Sequence, residues 1–406
     1  MLNNTLWLFA DRIMRMILGL LVGAWMARYL GPEQFGFIAY YIALLAVLGA
    51  FANYGIDYLV IRDCSKDESL SNSIISGVFL FRILLGAVVY LFYYIYILSL
   101  EGELSYYLAA IGAILLLSAF NTIDLWFQAN KRNKETAILN LISFILISIV
   151  RVYAIVEQLS IEYFLLLLVF ESLLSACLMF WWYIYNNQRI TISFTSISKV
   201  KSYVSEGFPY MISTLSILLY MRIDQLMIGD MLGKHELGIY SVGIVFSQVW
   251  YFIPVVAVNI LMPYISKYKQ QGGAKYLDSI GKLIRYSIVL SVVIILSTAL
   301  LSEVIIELIY GELYIDSASV LLIHVISVLP VFVGTILSIW IVNENNGKSQ
   351  LVRTLSGLVV NIVLNILLIP DYGIVGAAFS TVVSQMTTMI VMFVIHKELY
   401  RIAFPK

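Results

Sequence analysis

The chain has 406 residues, 61% of them hydrophobic and only 12% charged, with a mean hydropathy of +0.92. An ordinary soluble protein carries about 25% charged residues. Half that charge cannot cover a water-soluble globule of this length, so the chain is integral to a membrane. Lys+Arg 25 balance Asp+Glu 25, which leaves no basic field for nucleic acid. Two distant cysteines, Cys64 and Cys177, and three scattered histidines, His235, His324 and His396, exclude a disulfide framework and zinc chemistry.

Apolar runs of about 20 residues mark membrane-spanning helices. They predict twelve spans, at 5–29, 35–61, 74–98, 105–129, 136–156, 161–185, 205–229, 236–263, 282–302, 317–342, 351–369 and 374–396. Asp11, Arg12 and Arg15 interrupt the first run where the core of a signal peptide would lie, so the first helix is expected to stay in the membrane. In the same span Arg12, Arg15, Gly19 and Gly23 recur every three or four residues and therefore share one helical face. That stripe either presents guanidinium groups to a cavity or is neutralised locally. In the second case Asp11 pairs with Arg15 and Arg12 snorkels to the interface. Arg82 in span 3 lies a few residues inside the membrane and is open to the same two readings. In span 4, Asn121, Asp124 and Gln128 form a polar stripe that lines a cavity or joins helices.

Arg151 lies near the outer end of span 5, within reach of that interface. Glu171 sits in Leu165-Leu-Leu-Leu-Val-Phe-Glu-Ser-Leu-Leu174 of span 6, too deep to snorkel. It must pair with an arginine or exchange a coupling ion, because an unpaired charge at mid-bilayer costs roughly 2.5–3.5 kcal/mol. In span 7, Arg222 and Asp224 are two residues apart and point to different faces. Arg222 is the second half's one candidate phosphate ligand, and Asp224 is open to a structural pairing with another span. Spans 8 to 12 carry only neutral polar groups in their interiors, among them His324, Asn361, Asn365 and Gln385. Asn361 and Asn365 share a face of span 11 suited to helix–helix hydrogen bonds. Pro254 and Pro263 are expected to kink span 8, and Pro330 span 10. In the span interiors, away from their ends, five arginines face four carboxylates, a slight cationic excess.

Lysine and arginine set the orientation. With the N-terminus cytoplasmic, 18 of them fall in cytoplasmic segments and only Arg28 and Lys234 outside, so both termini are expected in the cytoplasm. The longest hydrophilic connections, near 186–203 and 264–281, leave no room for a soluble lobe. The chain also repeats itself. Arg28-Tyr-Leu-Gly-Pro-Glu-Gln-Phe-Gly36 matches Asp230-Met-Leu-Gly-Lys-His-Glu-Leu-Gly238 at an offset of 202, and Trp126 to Lys134 matches Trp340 to Lys348 at 214. Duplication predicts an all-α polytopic membrane protein: twelve transmembrane helices in two pseudo-symmetric six-helix lobes around a central cavity. The lobes are expected at 1–186 and 204–406, joined by a cytoplasmic linker at 187–203.

Ala27-Arg-Tyr-Leu-Gly-Pro-Glu-Gln-Phe-Gly-Phe-Ile-Ala-Tyr40, Asn53-Tyr-Gly-Ile-Asp57, Met221-Arg-Ile-Asp-Gln-Leu-Met-Ile-Gly229, Gly233-Lys-His-Glu-Leu-Gly-Ile-Tyr240 and Tyr372-Gly-Ile-Val-Gly-Ala-Ala378 resemble the polysaccharide transporter family. Pro209 also resembles a proline common there. Wzx-type flippases of that family move lipid-linked O-antigen or capsule repeat units. The resemblance implies the fold of the multidrug/oligosaccharidyl-lipid/polysaccharide exporter superfamily in a bacterial inner membrane. It implies an undecaprenyl-pyrophosphate oligosaccharide turned from the cytoplasmic to the periplasmic leaflet, with polymerase and chain-length proteins of the same pathway as candidate partners. On this reading Arg15, Arg12, Arg82 and Arg222 are the pyrophosphate and cavity ligands, since arginine binds phosphate bidentately and keeps its charge. Glu171, Asp224 and Asp124 are the candidates for gating or for coupling to H⁺ or Na⁺ in an antiporter. No cofactor is expected. No nucleophile–base arrangement or phosphate-cradling glycine loop is present to suggest an enzyme. An exporter of amphiphilic drugs is the alternative, although drug cations favour acidic groups. A membrane-embedded transferase or polymerase would need an outer loop or soluble lobe that the sequence lacks, and a channel would show a repeated pore motif.

Overall fold

The computed structural model describes residues 2–100, 102, 104–186, 188–190, 194–270, 274–344 and 346–404, with the side chains of 2–13, 68–69, 194–196 and 274 outside the description. Its helices are α1 (Leu2–Asn53), α2 (Asp57–Lys66), α3 (Glu68–Leu98), α4 (Ser105–Ile111), α5 (Ile114–Leu117) and α6 (Asn121–Ala129), followed by α7 (Asn133–Val156), α8 (Ile161–Tyr185), α9 (Phe194–Met231) and α10 (Lys234–Val249). Next come α11 (Phe252–Gln270), α12 (Ala274–Leu300), α13 (Ser302–Tyr310), α14 (Ser317–His324), α15 (Val328–Asn343), α16 (Gly347–Ile395) and α17 (Lys397–Ala403). Short 3₁₀ turns at Ser118–Phe120, Glu312–Tyr314 and Val325–Ser327 join neighbouring pieces.

Ten helical stretches are long and apolar enough to cross a membrane among the described residues. Two of them are far longer than one crossing needs. At about 1.5 Å per residue, α1 and α16 each run well over twice the ~30 Å hydrocarbon thickness. Each breaks at a glycine with non-helical backbone, Gly31 (φ 72°, ψ 171°) in α1 and Gly373 (φ 57°, ψ −141°) in α16. Division at these glycines is consistent with the twelve spans that the sequence predicts. Large apolar side chains stay exposed along the outward faces, among them Leu84, Phe92, Val289 and Leu300, which suits a protein solvated by lipid.

Two boundaries differ from the sequence expectation. The second span ends at Asn53 rather than running to 61, because Tyr54 and Gly55 take positive φ and residues Asp57–Lys66 form a separate helix. The eighth span breaks at Trp250 and Tyr251, ahead of Pro254. That proline occupies the first turn of α11, where a missing N–H costs nothing; Pro263 lies inside the helix.

The chain forms two compact units, Met1–Tyr29 with Tyr41–Leu218, and Leu30–Tyr40 with Leu219–Lys406. In the first, α2 packs on α6 and α7 on α8, around a core that includes Ile56, Leu59, Ile75, Phe127 and Tyr183. In the second, α12 packs on α15 and α10 on α14, around Ile280, Ile284, Val333, Leu337 and Met392.

The repeated turns meet inside the second unit. Gly31 and Gly233 share one unusual conformation, Gly233 having φ 96° and ψ 175°. Five residues on, Gly36 and Gly238 press backbone to backbone. A Cβ on Gly36 would lie 1.8 Å from the Lys234 carbonyl oxygen, and a Cβ on Gly238 would lie 2.0 Å from that of Pro32. Residues 32 and 234 are themselves repeat equivalents, so the contact is reciprocal. Around it Tyr40 donates to Asp230 (2.7 Å), and the Lys234 ammonium lies 3.1 Å from the centroid of the Tyr40 ring, a cation–π contact.

Candidate functional site

The first unit holds a cavity of about 460 Å³ walled by α1, the α5–α6 segment, α7 and α8. Its polar wall is Arg15, Ser118, Asn121, Asn140, Ser143, Glu171, Ser172 and Ser175; apolar side chains such as Ile42, Leu45, Phe120, Phe144 and Leu168 complete it. Each helix contributes through its 3.6-residue period. Arg15 and Gly19 lie one turn apart on α1, where Gly19 lets the Phe144 ring approach to 3.6 Å of an added Cβ. On α8, Leu168, Glu171, Ser172, Ser175 and Met179 form one continuous face. That spacing is visible in the sequence, yet the serines pass unnoticed beside the carboxylate. Ser175 donates to Asn140 Oδ1 (2.8 Å), while Ser143 and Ser172 return their hydroxyls to carbonyls four residues back.

Glu171 pairs with Arg151, Nη2 to Oε2 at 2.6 Å, with side chains 30% and 15% exposed. Arg151 therefore reaches inward along the bundle instead of to the outer interface. The cavity wall thus joins a half-buried guanidinium, a paired carboxylate, two amides and several hydroxyls. That set offers charge to an anion and hydrogen bonds to hydroxyl groups. The Arg12 side chain lies outside the description.

The remaining candidates lie apart from this wall. Arg82 is 1% exposed. Its guanidinium donates to Asp57, to the Asn53 carbonyl (2.9 Å) and to Thr122 Oγ1 (3.3 Å). It thereby ties α3 to the end of α1 and the starts of α2 and α6, and it does not reach toward an interface. Asp124 accepts from Gln128 Nε2 at 2.8 Å, the i to i+4 pair its spacing suggests. Further along α2, Asp63 accepts from Arg62 (2.7 Å) and Tyr203 (3.1 Å), with Lys199 at 3.5 Å, and Arg62 also reaches Glu206 at 3.5 Å. The hydrogen bond from Arg62 holds the Asp63 carboxyl below the usual carboxylate range.

In the second unit Asp224 is 4% exposed. It accepts from the Tyr240 hydroxyl, from Thr381 Oγ1 (3.3 Å) and from the Gln225 N–H (2.8 Å). Thr381 leads on to Asn361 (3.5 Å) and Asn361 to Asn365 (3.2 Å), all buried. Arg222 turns away and donates to Gln225 Oε1 (2.9 Å). The sequence pairs Asn361 with Asn365 but gives no sign that Asp224 belongs to the same network, since their partners lie more than a hundred residues apart.

The fold defines the class. It superposes on the solved structure titled lipid II flippase MurJ, inward closed conformation, with a TM-score of 0.76 over 98% of this chain and 89% of that one at 16% identity. It superposes on an inward-facing multidrug resistance MATE family transporter of the MOP superfamily with a TM-score of 0.74 over 98% of both chains at 13% identity. This is a multi-pass membrane protein with the MOP-superfamily fold. Residues 25–319 match the family described as polysaccharide biosynthesis protein, and the chain belongs to that family. Residues 245–405 also match the family described as lipid II flippase MurJ. Among relatives, it is 21% identical to the capsular polysaccharide biosynthesis protein CapF of Staphylococcus aureus, over 98% of this chain and 100% of that one. It is 23% identical to the probable low-salt glycan biosynthesis flippase Agl15 of Haloferax volcanii, over 88% of this chain and 75% of that one.

Proposed function

We propose that this chain is a flippase for a lipid-linked oligosaccharide, an undecaprenyl-pyrophosphate repeat unit of O-antigen or capsule type. It carries its substrate from the cytoplasmic to the periplasmic leaflet of a bacterial inner membrane by alternating access, without catalysing a covalent step. The observation that carries the reading is Arg15 on the wall of a membrane-embedded cavity whose other polar groups are amides, hydroxyls and the Glu171 carboxylate, itself paired with Arg151. A guanidinium suits the pyrophosphate, and amides with serines suit sugar hydroxyls. The family membership and the names of CapF and Agl15 support a polysaccharide pathway, and the MurJ match supports a lipid-borne cargo. Arg12, Arg82 and Arg222 are the further phosphate candidates carried from the sequence. Asp224, held by neutral donors, Glu171 and Asp124 are the groups through which H⁺ or Na⁺ would couple.

The test is complementation of a flippase-null strain with a defined repeat unit. The wild-type chain restores surface polysaccharide. Arg15→Ala abolishes it at unchanged membrane levels, and Arg15→Lys restores it in part. Full complementation by Arg15→Ala would remove that residue from the mechanism. A wild-type chain that lowers ethidium accumulation while moving no lipid-linked sugar would instead make it a drug exporter.

A further inference from the structure

At one end of the second unit, α12, α15 and α16 leave a groove of about 450 Å³ closed off by α17. Its walls are almost entirely carbon, among them Ile288, Val333, Met389 and Phe393, with Tyr400 and Phe404 across the end. The three rings pack together, Phe393 to Tyr400 at 6.2 Å and Tyr400 to Phe404 at 5.3 Å between centroids. The groove opens outward, since Ile390, Val394, Tyr400 and Phe404 are each about half exposed or more.

The short α17 and Phe404, which caps its end, carry three stripes, each a pair of residues four apart. Leu399 and Ala403 are fully buried against α12. Tyr400 and Phe404 face the groove. Lys397 and Arg401, both exposed, lie next to the aromatic stripe, whereas Glu398 lies a further 100° or so round the helix. The helix is held firmly. Arg285 of α12 donates to the Ile402 carbonyl at 2.9 Å, and Gly281 packs so closely on that same carbonyl that a Cβ would lie 2.4 Å from it.

A carbon-walled groove on a membrane-facing surface, bordered at one end by two parallel cations, matches one chemistry: an apolar chain with an anionic head. We propose that this groove binds one anionic phospholipid, with an acyl chain between α12, α15 and α16 and its phosphate on Lys397 and Arg401. Aromatic side chains at the groove's end lie where chain gives way to head group, the depth at which such rings are favoured, and each cation near an anionic head adds to the preference.

The experiment is native mass spectrometry of the full chain in detergent, after incubation with an equimolar mixture of phosphatidylglycerol and phosphatidylcholine of the same chains. The wild-type protein should retain one phosphatidylglycerol per chain, at least tenfold over phosphatidylcholine. Lys397→Gln with Arg401→Gln should cut that preference at least fivefold at an unchanged melting temperature, since both side chains are exposed. Ile390→Trp, which fills the groove, should lower retention of both lipids. Equal retention of the two lipids by the wild-type chain, or an unaltered preference in the double variant, would overturn the proposal. So would displacement of the lipid by inorganic phosphate alone.

Discussion

A methyl group on Gly36 is the sharpest probe of the repeated turns. Its Cβ would stand 1.8 Å from the Lys234 oxygen, 2.6 Å from the Gly238 nitrogen and 2.9 Å from the Lys234 carbon. All three are main-chain atoms, so no side chain can swing aside, and the two turns would have to part by more than an ångström. Overpacking costs about 1–3 kcal/mol when side chains can adjust, occasionally more, and backbone against backbone belongs at the upper end. At about 2–4 °C per kcal/mol for a large domain, Gly36→Ala should lower the melting temperature in detergent by roughly 6 °C or more. Two other glycines calibrate the result. Gly23 has nothing within 4 Å of an added Cβ and lies in helix, so Gly23→Ala should be neutral or stabilising by up to about 1 kcal/mol. Gly31 is equally open but has positive φ, which makes Gly31→Ala cost about 1–2 kcal/mol through backbone strain alone. The double variant Gly36→Ala with Gly238→Ala should fall short of additivity, because one separation relieves both clashes. If Gly36→Ala melts within a degree or so of Gly23→Ala, the reciprocal contact is not as tight as described.

Other side chains give equally direct expectations. Arg82→Met strips the Asn53 carbonyl of its buried donor and should destabilise the chain by about 2–3 kcal/mol, read as a fall in melting temperature; Asp57→Asn should cost less, since that carboxylate is 58% exposed. Glu171→Gln leaves Arg151 charged and nearly buried, so it should cost up to about 3 kcal/mol, and Arg151→Gln in the same chain should return most of it. If Glu171 also couples transport to an ion, Glu171→Gln will change the dependence of complementation on pH or Na⁺; an unaltered dependence leaves it a structural partner. Asp63, whose pKa is lowered by the Arg62 hydrogen bond, stabilises the fold above its unfolded value near 3.9. That contribution disappears as pH falls through its lower folded value. Melting curves of wild type and Asp63→Asn should therefore run parallel from about pH 5 to 7 and converge in more acid solution.

The sequence made the membrane class, the all-helical fold and the repeated turns legible because each depends on composition, periodicity or spacing along the chain. Arg15 and Gly19 share a face for the same reason, and so do Glu171 and the serines beside it. The partners of the buried charges were not legible. Arg82 looks like a snorkelling residue until Tyr54 and Gly55 turn the chain and bring Asp57 back onto it. Asp224 looks isolated until α10 and the second half of α16 supply Tyr240 and Thr381. A local pattern fixes which way a side chain points, but not which distant helix comes to meet it.

The fourth span runs through α4, α5, a 3₁₀ turn and α6, and several of its N–H groups, those of Ala113, Leu115 and Leu116 among them, bond three residues back. A 3₁₀ turn rises about 2.0 Å per residue against about 1.5 Å in an α-helix. Exchange between the two hydrogen-bond patterns would change the length of such a stretch by about 0.5 Å per residue and rotate one end against the other. Ser118 and Asn121 ride on that stretch, so a change of pattern there would shift two polar groups of the cavity wall along and around the span.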